Sequence, residues 1–190
     1  MNRITLPISL LAGAMGLASG LPASAVTQTR NLVQTGENMC TLSIPTTDTK
    51  VRPKATGFRN EGTTSAFVIC AFDSPPGGQS PSTDLSYVSL LLKSLDGASH
   101  SVTCTGVNSV ADGIVVEAPP QQYITKTVTV NDTGPAGVYG VIVTWLPEDF
   151  GAAADTAIPY SSGLFTITCN LPPQVSIKLG GGQSNEDVGN

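Results

Sequence analysis

The chain has 190 residues, of which 9 are basic and 14 are acidic, so its formal net charge at pH 7 is −5. An acidic chain with only 5% aromatic residues is poorly suited to bind nucleic acid or an anionic membrane surface, and we expect neither as a partner. Because 40% of the residues are apolar, we exclude a disordered chain and expect one domain with a hydrophobic core.

The first 25 residues have the pattern of a secretory signal peptide. Arg3 provides a positive start, a largely apolar stretch runs from Ile4 to Leu21, and Ala23-Ser24-Ala25 forms an A-x-A cleavage site. No segment is long and apolar enough to be a transmembrane helix, so we expect no membrane span. We therefore predict a secreted protein, periplasmic or extracellular, whose mature chain begins near Val26.

The rest of the chain alternates between apolar and polar residues with a period of two, which is typical of β-strands with one buried face. Residues 26–39 are predicted as an N-terminal extension, residues 40–179 as a β-domain and residues 180–190 as a flexible, glycine-rich tail. The strands that we predict, in chain order, are residues 41–44, 55–59, 63–72, 85–94, 100–106, 114–117, 122–131, 137–147, 164–171 and 175–179.

The breaks between these strands indicate their arrangement. Asp96-Gly97 predicts a hairpin between the strands at 85–94 and 100–106. Residues 73–84 are rich in proline, glycine and serine and are predicted as a loop, and residues 147–163 form the longest connection. The whole pattern predicts an all-β protein, a single antiparallel β-sandwich that is Ig-like or jelly-roll-like.

The four cysteines are Cys40, Cys70, Cys104 and Cys169. An even number of cysteines in an oxidising compartment predicts two disulfides, for which three pairings are possible. Cys104 and Cys169 each lie on the apolar face of a predicted strand, so we favour Cys104–Cys169 together with Cys40–Cys70. With no CxxC spacing and a single histidine, we predict no metal site and no cofactor.

The order of these anchor residues resembles a family of small secreted two-disulfide β-sandwich proteins of Gram-negative bacteria, most of them uncharacterised. The resemblance covers about residues 40–179 and follows a Cys…Asn…Cys…Cys-x-Leu-Pro-Pro pattern. It implies a two-disulfide sandwich, gives structural roles to the matching residues and implies no activity. The positions that carry it are Cys40, Asn60, Cys70, Cys104, Cys169, Leu171 and Pro172.

The search for catalytic motifs favours a protein without enzymatic activity. His100 is the only histidine, so a nucleophile–His–acid triad would have to use it, and its place at the start of a strand favours a side chain near the rim. The sequence contains no GxSxG, HExxH or GxGxxG motif and no P-loop. We predict no catalytic residue.

One region gathers the densest mix of acids and aromatics in the mature chain, and we take it as the candidate ligand region. We favour Trp145 as a core residue and the acids as solvated loop charges; the alternatives are a sugar-stacking surface and a calcium site with oxygen ligands. The candidate residues are Trp145, Glu148, Asp149, Phe150, Asp155 and Tyr160.

These observations favour a secreted, non-enzymatic binding or structural module of the cell envelope or extracellular space. The alternatives are a carbohydrate-binding or carbohydrate-active domain, and a secreted inhibitor that presents the loop at residues 74–81. The partner that we expect is accordingly a carbohydrate or an envelope protein.

Overall fold

The structure is a computed structural model that describes residues 26–44, 50–72, 84–109, 121–131, 140–159 and 164–187. Within these ranges the chain forms eleven strands, one short α-helix and one 3-10 helix. In chain order they are β1 (Thr27–Thr35), α1 (Gly36–Met39), β2 (Cys40–Leu42), β3 (Val51–Lys54), β4 (Gly57–Asn60), β5 (Ala66–Ala71), β6 (Asp84–Ser94), β7 (His100–Ser109), β8 (Gln122–Val130), β9 (Val141–Trp145), the 3-10 helix (Pro147–Phe150), β10 (Leu164–Leu171) and β11 (Val175–Asp187).

The strands form two antiparallel sheets, which confirms the predicted β-sandwich. Sheet 1 has the order β3-β4-β11-β6-β9, and β1 pairs with the part of β11 that extends beyond β4. Sheet 2 has the order β2-β5-β10-β7-β8. No helix in the described part of the chain is long and apolar enough to cross a membrane.

The core lies between the two sheets and is built by the period-2 alternation of the sequence. On β6, Val88, Leu90 and Leu92 are fully buried, while the residues between them point outward. Phe165 of β10 lies at the centre of an aromatic cluster, in edge-to-face contact with three other rings at centroid distances between 5.9 and 6.4 Å. Its partners are Phe72, Trp145 and Phe150.

Both disulfides form as favoured, and both lie within sheet 2. Cys40–Cys70 joins β2 to β5, and Cys104–Cys169 joins β7 to β10. Each pair occupies directly opposite positions of neighbouring strands. No cysteine is free.

Asn60 connects the two sheets through the interior. Its side chain is completely buried at the end of β4, in sheet 1, and its Nδ2 donates to the backbone oxygens of Thr64 and Leu171 at 2.8 and 2.9 Å. Leu171 is the last residue of β10, in sheet 2, while Asn60 Oδ1 accepts the backbone N–H of Gly62 at 2.9 Å. Asn60 therefore satisfies three backbone groups where the chain leaves β4.

Residues 26–39 and 180–187, which we predict as an extension and as part of a flexible tail, instead contain β1, α1 and the second half of β11. β1 and β11 pair with each other along nine positions, from Thr27 opposite Asp187 to Thr35 opposite Leu179. The sequence does not indicate this pairing, because the buried positions of β11 beyond residue 179 are Gly180, Gly182 and Ser184 rather than large apolar residues. At Gly180 the space that a Cβ would need is filled by Met39, whose Sδ would lie 2.3 Å away.

The predicted Asp96-Gly97 hairpin is also wrong. The turn forms, with Gly97 at φ 76°, but β6 belongs to sheet 1 and β7 to sheet 2, so the chain crosses between the sheets there. Residues 55–59, predicted as one strand, contain instead the turn between β3 and β4. The predicted strand at 114–117 and the loop at 74–81 lie outside the described residues.

Candidate functional site

Two of the aromatic residues of the candidate ligand region, Trp145 and Phe150, belong to the core, as we favoured for Trp145. Trp145 is fully buried, its Nε1 donates to the backbone oxygen of Ile124 at 2.9 Å, and its ring packs on Phe165. A Cβ at Gly106 would lie 2.6 Å from Trp145 Nε1, so the glycine makes room for the indole. Phe150 is also buried against Phe165. Neither ring is available to stack on a sugar.

Asp149 holds the 3-10 helix in place. Its Oδ2 accepts the backbone N–H of Leu146 at 2.8 Å and the Nζ of Lys126 at 2.5 Å. Lys126 also donates to the backbone oxygen of Thr144 at 2.8 Å, so the ion pair fastens β8 to the end of β9. Asp149 is therefore a structural residue.

Glu148 and Asp155 are the two predicted residues that the structure brings together, in an open cleft of about 450 Å³. Tyr160, the remaining predicted residue, lies outside the described part of the chain. We call this site the polar cleft; it lies on the outer side of sheet 1, where β1, β6 and β11 meet the 3-10 helix and the loop that follows it. The residues that line it are Thr29, Ser86, Tyr87, Leu146, Pro147, Glu148, Asp155, Thr156, Gln183 and Asn185.

A bulge in β6 shapes one wall of the polar cleft. Gln183 of β11 pairs with Tyr87, but the next residue, Ser184, pairs with Leu85, so Ser86 is the additional residue in β6. Such bulges bend a strand and redirect its side chains, which here brings both Ser86 and Tyr87 to the lining. The backbone oxygen of Leu85 accepts the N–H of buried Ile158 at 2.7 Å, which fastens the opposite loop to the same strand.

Hydrogen bonds orient the amide side chains that line the polar cleft. Asn185 Oδ1 accepts from Thr29 Oγ1 at 2.9 Å, and Asn185 Nδ2 lies 3.4 Å from Ser86 Oγ. Gln183 Nε2 donates to Asn31 Oδ1 at 3.1 Å. Hydroxyls and amides on three paired strands thus lie beside one tyrosine, and the carboxylates of the 3-10 helix and its loop face the same cleft. This set can donate to and accept from a ligand rich in hydroxyl groups.

The same wall contains the residues that sequence reasoning missed. Gln183 and Asn185 lie in the segment predicted as a flexible tail, and Thr29 lies in the predicted extension. Tyr87 carried a weak signal, since it is an outward-facing aromatic residue within a strand. The pairing of β11 with β6 places Gln183 beside Tyr87, and the pairing of β1 with β11 adds Thr29; no local pattern indicates either pairing.

Two other kinds of site were considered from the sequence. Within the described ranges, no three His, Cys, Asp or Glu side chains are placed to hold a metal ion. His100 lies at the crossing between the sheets, where its Nε2 is 2.8 Å from Asp96 Oδ1, as expected for a residue near the rim. Its hydrogen bond, together with those from Ala98 N–H and Ser94 Oγ, lowers the pKa of Asp96 to about 2.

Comparison with known proteins adds little about the function of this chain. No protein family matches the sequence, and no curated protein matches it. Among solved structures, it is similar to a family 11 carbohydrate-binding module from Clostridium thermocellum in complex with a β-1,3-1,4-mixed-linked tetrasaccharide. The two chains are 12% identical, with a TM-score of 0.33 over 88% of this chain and 90% of that chain. At this level of similarity nothing about that protein's ligand transfers to this chain.

Proposed function

We propose that this protein is a secreted, non-enzymatic binding module that takes a neutral carbohydrate in the polar cleft. One observation carries the proposal, namely that Tyr87 shares one open cleft with two oriented amides and two exposed carboxylates. Sugars present hydroxyl groups around apolar ring faces, and a site for them needs hydrogen-bonding groups beside an aromatic surface. The polar cleft combines both.

The rigid support of the polar cleft favours binding. Gln183 and Asn185 belong to the long central strand of sheet 1, and Tyr87 belongs to the strand that pairs with it. Side chains that are held by paired strands lose little freedom when a ligand binds, so less of the interaction energy is lost to ordering. In addition, Asp149 fixes the 3-10 helix that carries Glu148.

The secreted, periplasmic or extracellular location is part of the proposal. Its support is the predicted signal peptide together with two disulfides that leave no free thiol. Disulfides of this kind persist in oxidising compartments and are rare in the cytosol.

The proposal is tested by calorimetry with a panel of neutral oligosaccharides, including α- and β-linked glucans, mannans and xylans. We expect at least one of them to bind, and we expect Tyr87→Ala to raise its Kd about 30-fold, which corresponds to the loss of about 2 kcal/mol for an aromatic anchor. Gln183→Ala should weaken the same ligand about fivefold to tenfold, as loss of a hydrogen bond in a binding site does. The matched control is Tyr123→Ala, because Tyr123 is an exposed tyrosine on sheet 2 and should leave the Kd unchanged.

Two results would contradict the proposal. Equal losses of affinity in Tyr87→Ala and Tyr123→Ala would show that the ligand does not bind in the polar cleft. Release of reducing sugar by the wild type, abolished by Glu148→Gln, would show that the protein is a hydrolase and that its carboxylates are catalytic.

A further inference from the structure

A second feature of sheet 1 is a concentration of positive charge on a protein whose net charge is −5. Five of the 9 basic residues of the chain lie on the outer face of sheet 1, on the four neighbouring strands β3, β4, β11 and β6. We call this set the basic face: it consists of Arg52, Lys54, Arg59, Lys93 and Lys178.

The strand register brings three of these cations into one row. Arg52 of β3 pairs with Arg59 of β4, Arg59 pairs with Ser176 of β11, and Ser176 pairs with Lys93 of β6. Directly opposite residues share one face of a sheet, and neighbouring strands are about 4.8 Å apart, so the row extends about 14 Å. Lys178 belongs to a bulge in β11 and reaches toward β4, where its Nζ donates to the backbone oxygen of Thr56 at 2.7 Å.

An open cleft of about 520 Å³ lies on this row. We call it the basic cleft, and it is lined by Arg59, Glu61, Lys93, Ser94, Leu95, Gln174 and Lys178. Glu61 is the one acid among these lining residues, and it pairs with Lys54 at 2.5 Å and Arg59 at 3.4 Å. The cations therefore outnumber the acid in the cleft by three to one.

The surroundings of Lys178 favour a negatively charged ligand in the basic cleft. Burial and the nearby charges of Arg59 and Lys93 lower the pKa of Lys178, against an opposing effect of Glu37. A bound anion beside Lys178 would oppose these effects and favour the charged form of the lysine.

We propose that the basic face binds an anionic polysaccharide, whose carboxylate or sulfate groups pair with Lys93, Lys178 and Arg59. A single small anion would not span a row of about 14 Å, whereas a polymer with repeated charges can. No aromatic residue lines the basic cleft, so the stacking that single-stranded nucleic acid requires is missing. A nucleic acid duplex or an anionic membrane would also be repelled by the net negative charge of the whole protein. A single flexible polysaccharide chain that lies on the basic face alone avoids this repulsion.

This proposal is independent of the polar cleft, because the two sites share no residue. Along β11 their nearest lining residues, Lys178 and Gln183, are five steps apart, about 17 Å of strand. Substitution of Tyr87 tests the polar cleft and substitution of Lys93 tests the basic face, so failure of either proposal can be recognised by itself.

The experiment measures binding of the full mature chain to heparin and to polygalacturonate, with dextran as the uncharged probe. We expect both polyanions to bind and dextran not to compete, with a Kd that rises about tenfold between 50 and 200 mM NaCl because counterions are released on binding. Lys93→Gln and Lys178→Gln should each weaken binding about fivefold and together about 25-fold. Arg30→Gln is the matched control: it removes one positive charge from exposed β1, outside both clefts, and should change Kd less than twofold.

The melting temperature of each variant shows whether it loses binding because it unfolds. If Lys178→Gln or the double variant unfolds, Lys93→Gln alone serves as the test, with its expected fivefold loss. Absence of polyanion binding at 50 mM NaCl would overturn the proposal, as would an equal loss in Arg30→Gln, which would indicate a non-specific response to net charge. Equal affinity for an oligonucleotide or for vesicles with 30% anionic lipid would overturn the assignment to a polysaccharide. Displacement of heparin by inorganic sulfate at the same sulfate concentration would overturn the assignment to a polymer.

Discussion

The outer faces of the two sheets differ sharply in chemistry, although both sheets bury similar apolar residues. At the outward positions of the described strands, sheet 2 carries threonines in neighbouring pairs, such as Thr103–Thr127 and Thr105–Thr125, whose hydroxyls lie 2.9 and 2.8 Å apart. No charged residue occupies these positions. The outer face of sheet 1 carries the basic face and borders the polar cleft.

The disulfides follow the same division. Both lie in sheet 2, and sheet 1 has none. We interpret sheet 2 as the structural layer, held by covalent cross-links and satisfied hydroxyl pairs, and sheet 1 as the layer that presents the residues of the two proposed sites. If the two roles are separate, changes in sheet 2 should alter stability without altering binding.

The largest effect is expected from the disulfides of sheet 2. Cys104→Ala with Cys169→Ala should lower the free energy of unfolding by about 2–5 kcal/mol, as loss of a native disulfide does in small secreted domains. The corresponding change at Cys40 and Cys70 should cost slightly less, because that bridge closes 30 residues rather than 65. Guanidinium chloride titrations of both variants provide the measurement.

Binding measurements on the same disulfide variants sharpen the comparison. Well below the melting temperature, both variants should bind the ligands of sheet 1 with the wild-type Kd. The reason is that both bridges lie in sheet 2, whereas the strand residues of both proposed sites belong to sheet 1. A Kd that rises in proportion to the lost stability would show that the two layers are coupled.

The next effect concerns Asn60, which connects the layers. Asn60→Ala leaves the backbone oxygens of Thr64 and Leu171 and the N–H of Gly62 without their partner, and it should cost about 2–4 kcal/mol. Asn170→Ala is the matched control, since this asparagine is exposed on sheet 2, and it should cost less than about 0.5 kcal/mol. Similar losses in the two variants would contradict the role of Asn60 in joining the sheets.

The sequence predicted those features that depend on local alternation. Trp145 was placed in the core because its neighbours at i−2 and i−4 are apolar, and the cysteine pairing followed from the apolar faces of two strands. Gln183 and Asn185 were missed because their role depends on β1, a strand more than 150 residues away. The basic face was missed for the same reason, since Arg59 and Lys93 become neighbours only through the strand order of sheet 1.

A smaller effect is expected from the hydroxyl pairs of sheet 2. Thr103→Val with Thr127→Val removes both members of one pair, so no buried group loses its partner, and valine keeps the β-propensity of the strand. We expect the stability to change by less than about 1 kcal/mol and the binding of every ligand of sheet 1 to remain unchanged. Loss of oligosaccharide or polyanion binding in this variant would show that sheet 2 also contacts ligands.

The smallest effect concerns the crossing between the layers, where Asp96 accepts hydrogen bonds from His100, Ala98 N–H and Ser94. These bonds favour the ionised carboxylate, so the pKa of Asp96 is lowered from its ordinary 3.8 to about 2, with His100 as the largest cause. Because the pKa is lowered in the folded state, the contribution of Asp96 to stability is present above pH 3.8 and is lost as the pH falls through about 2.

The carboxyl group of Asp96 is exposed, so its pKa is a better measure of these bonds than the stability of the protein. In a carboxyl NMR titration, His100→Ala should raise the pKa of Asp96 toward 3.8, and Ser94→Ala should raise it less, because Ser94 is a smaller cause. The control is Ser101→Ala, an exposed neighbour of His100, which should leave the pKa unchanged. If the pKa of Asp96 stays near 2 in His100→Ala, the histidine does not hold the crossing, and the hydrogen bonds from Ala98 N–H and Ser94 account for the turn between the layers.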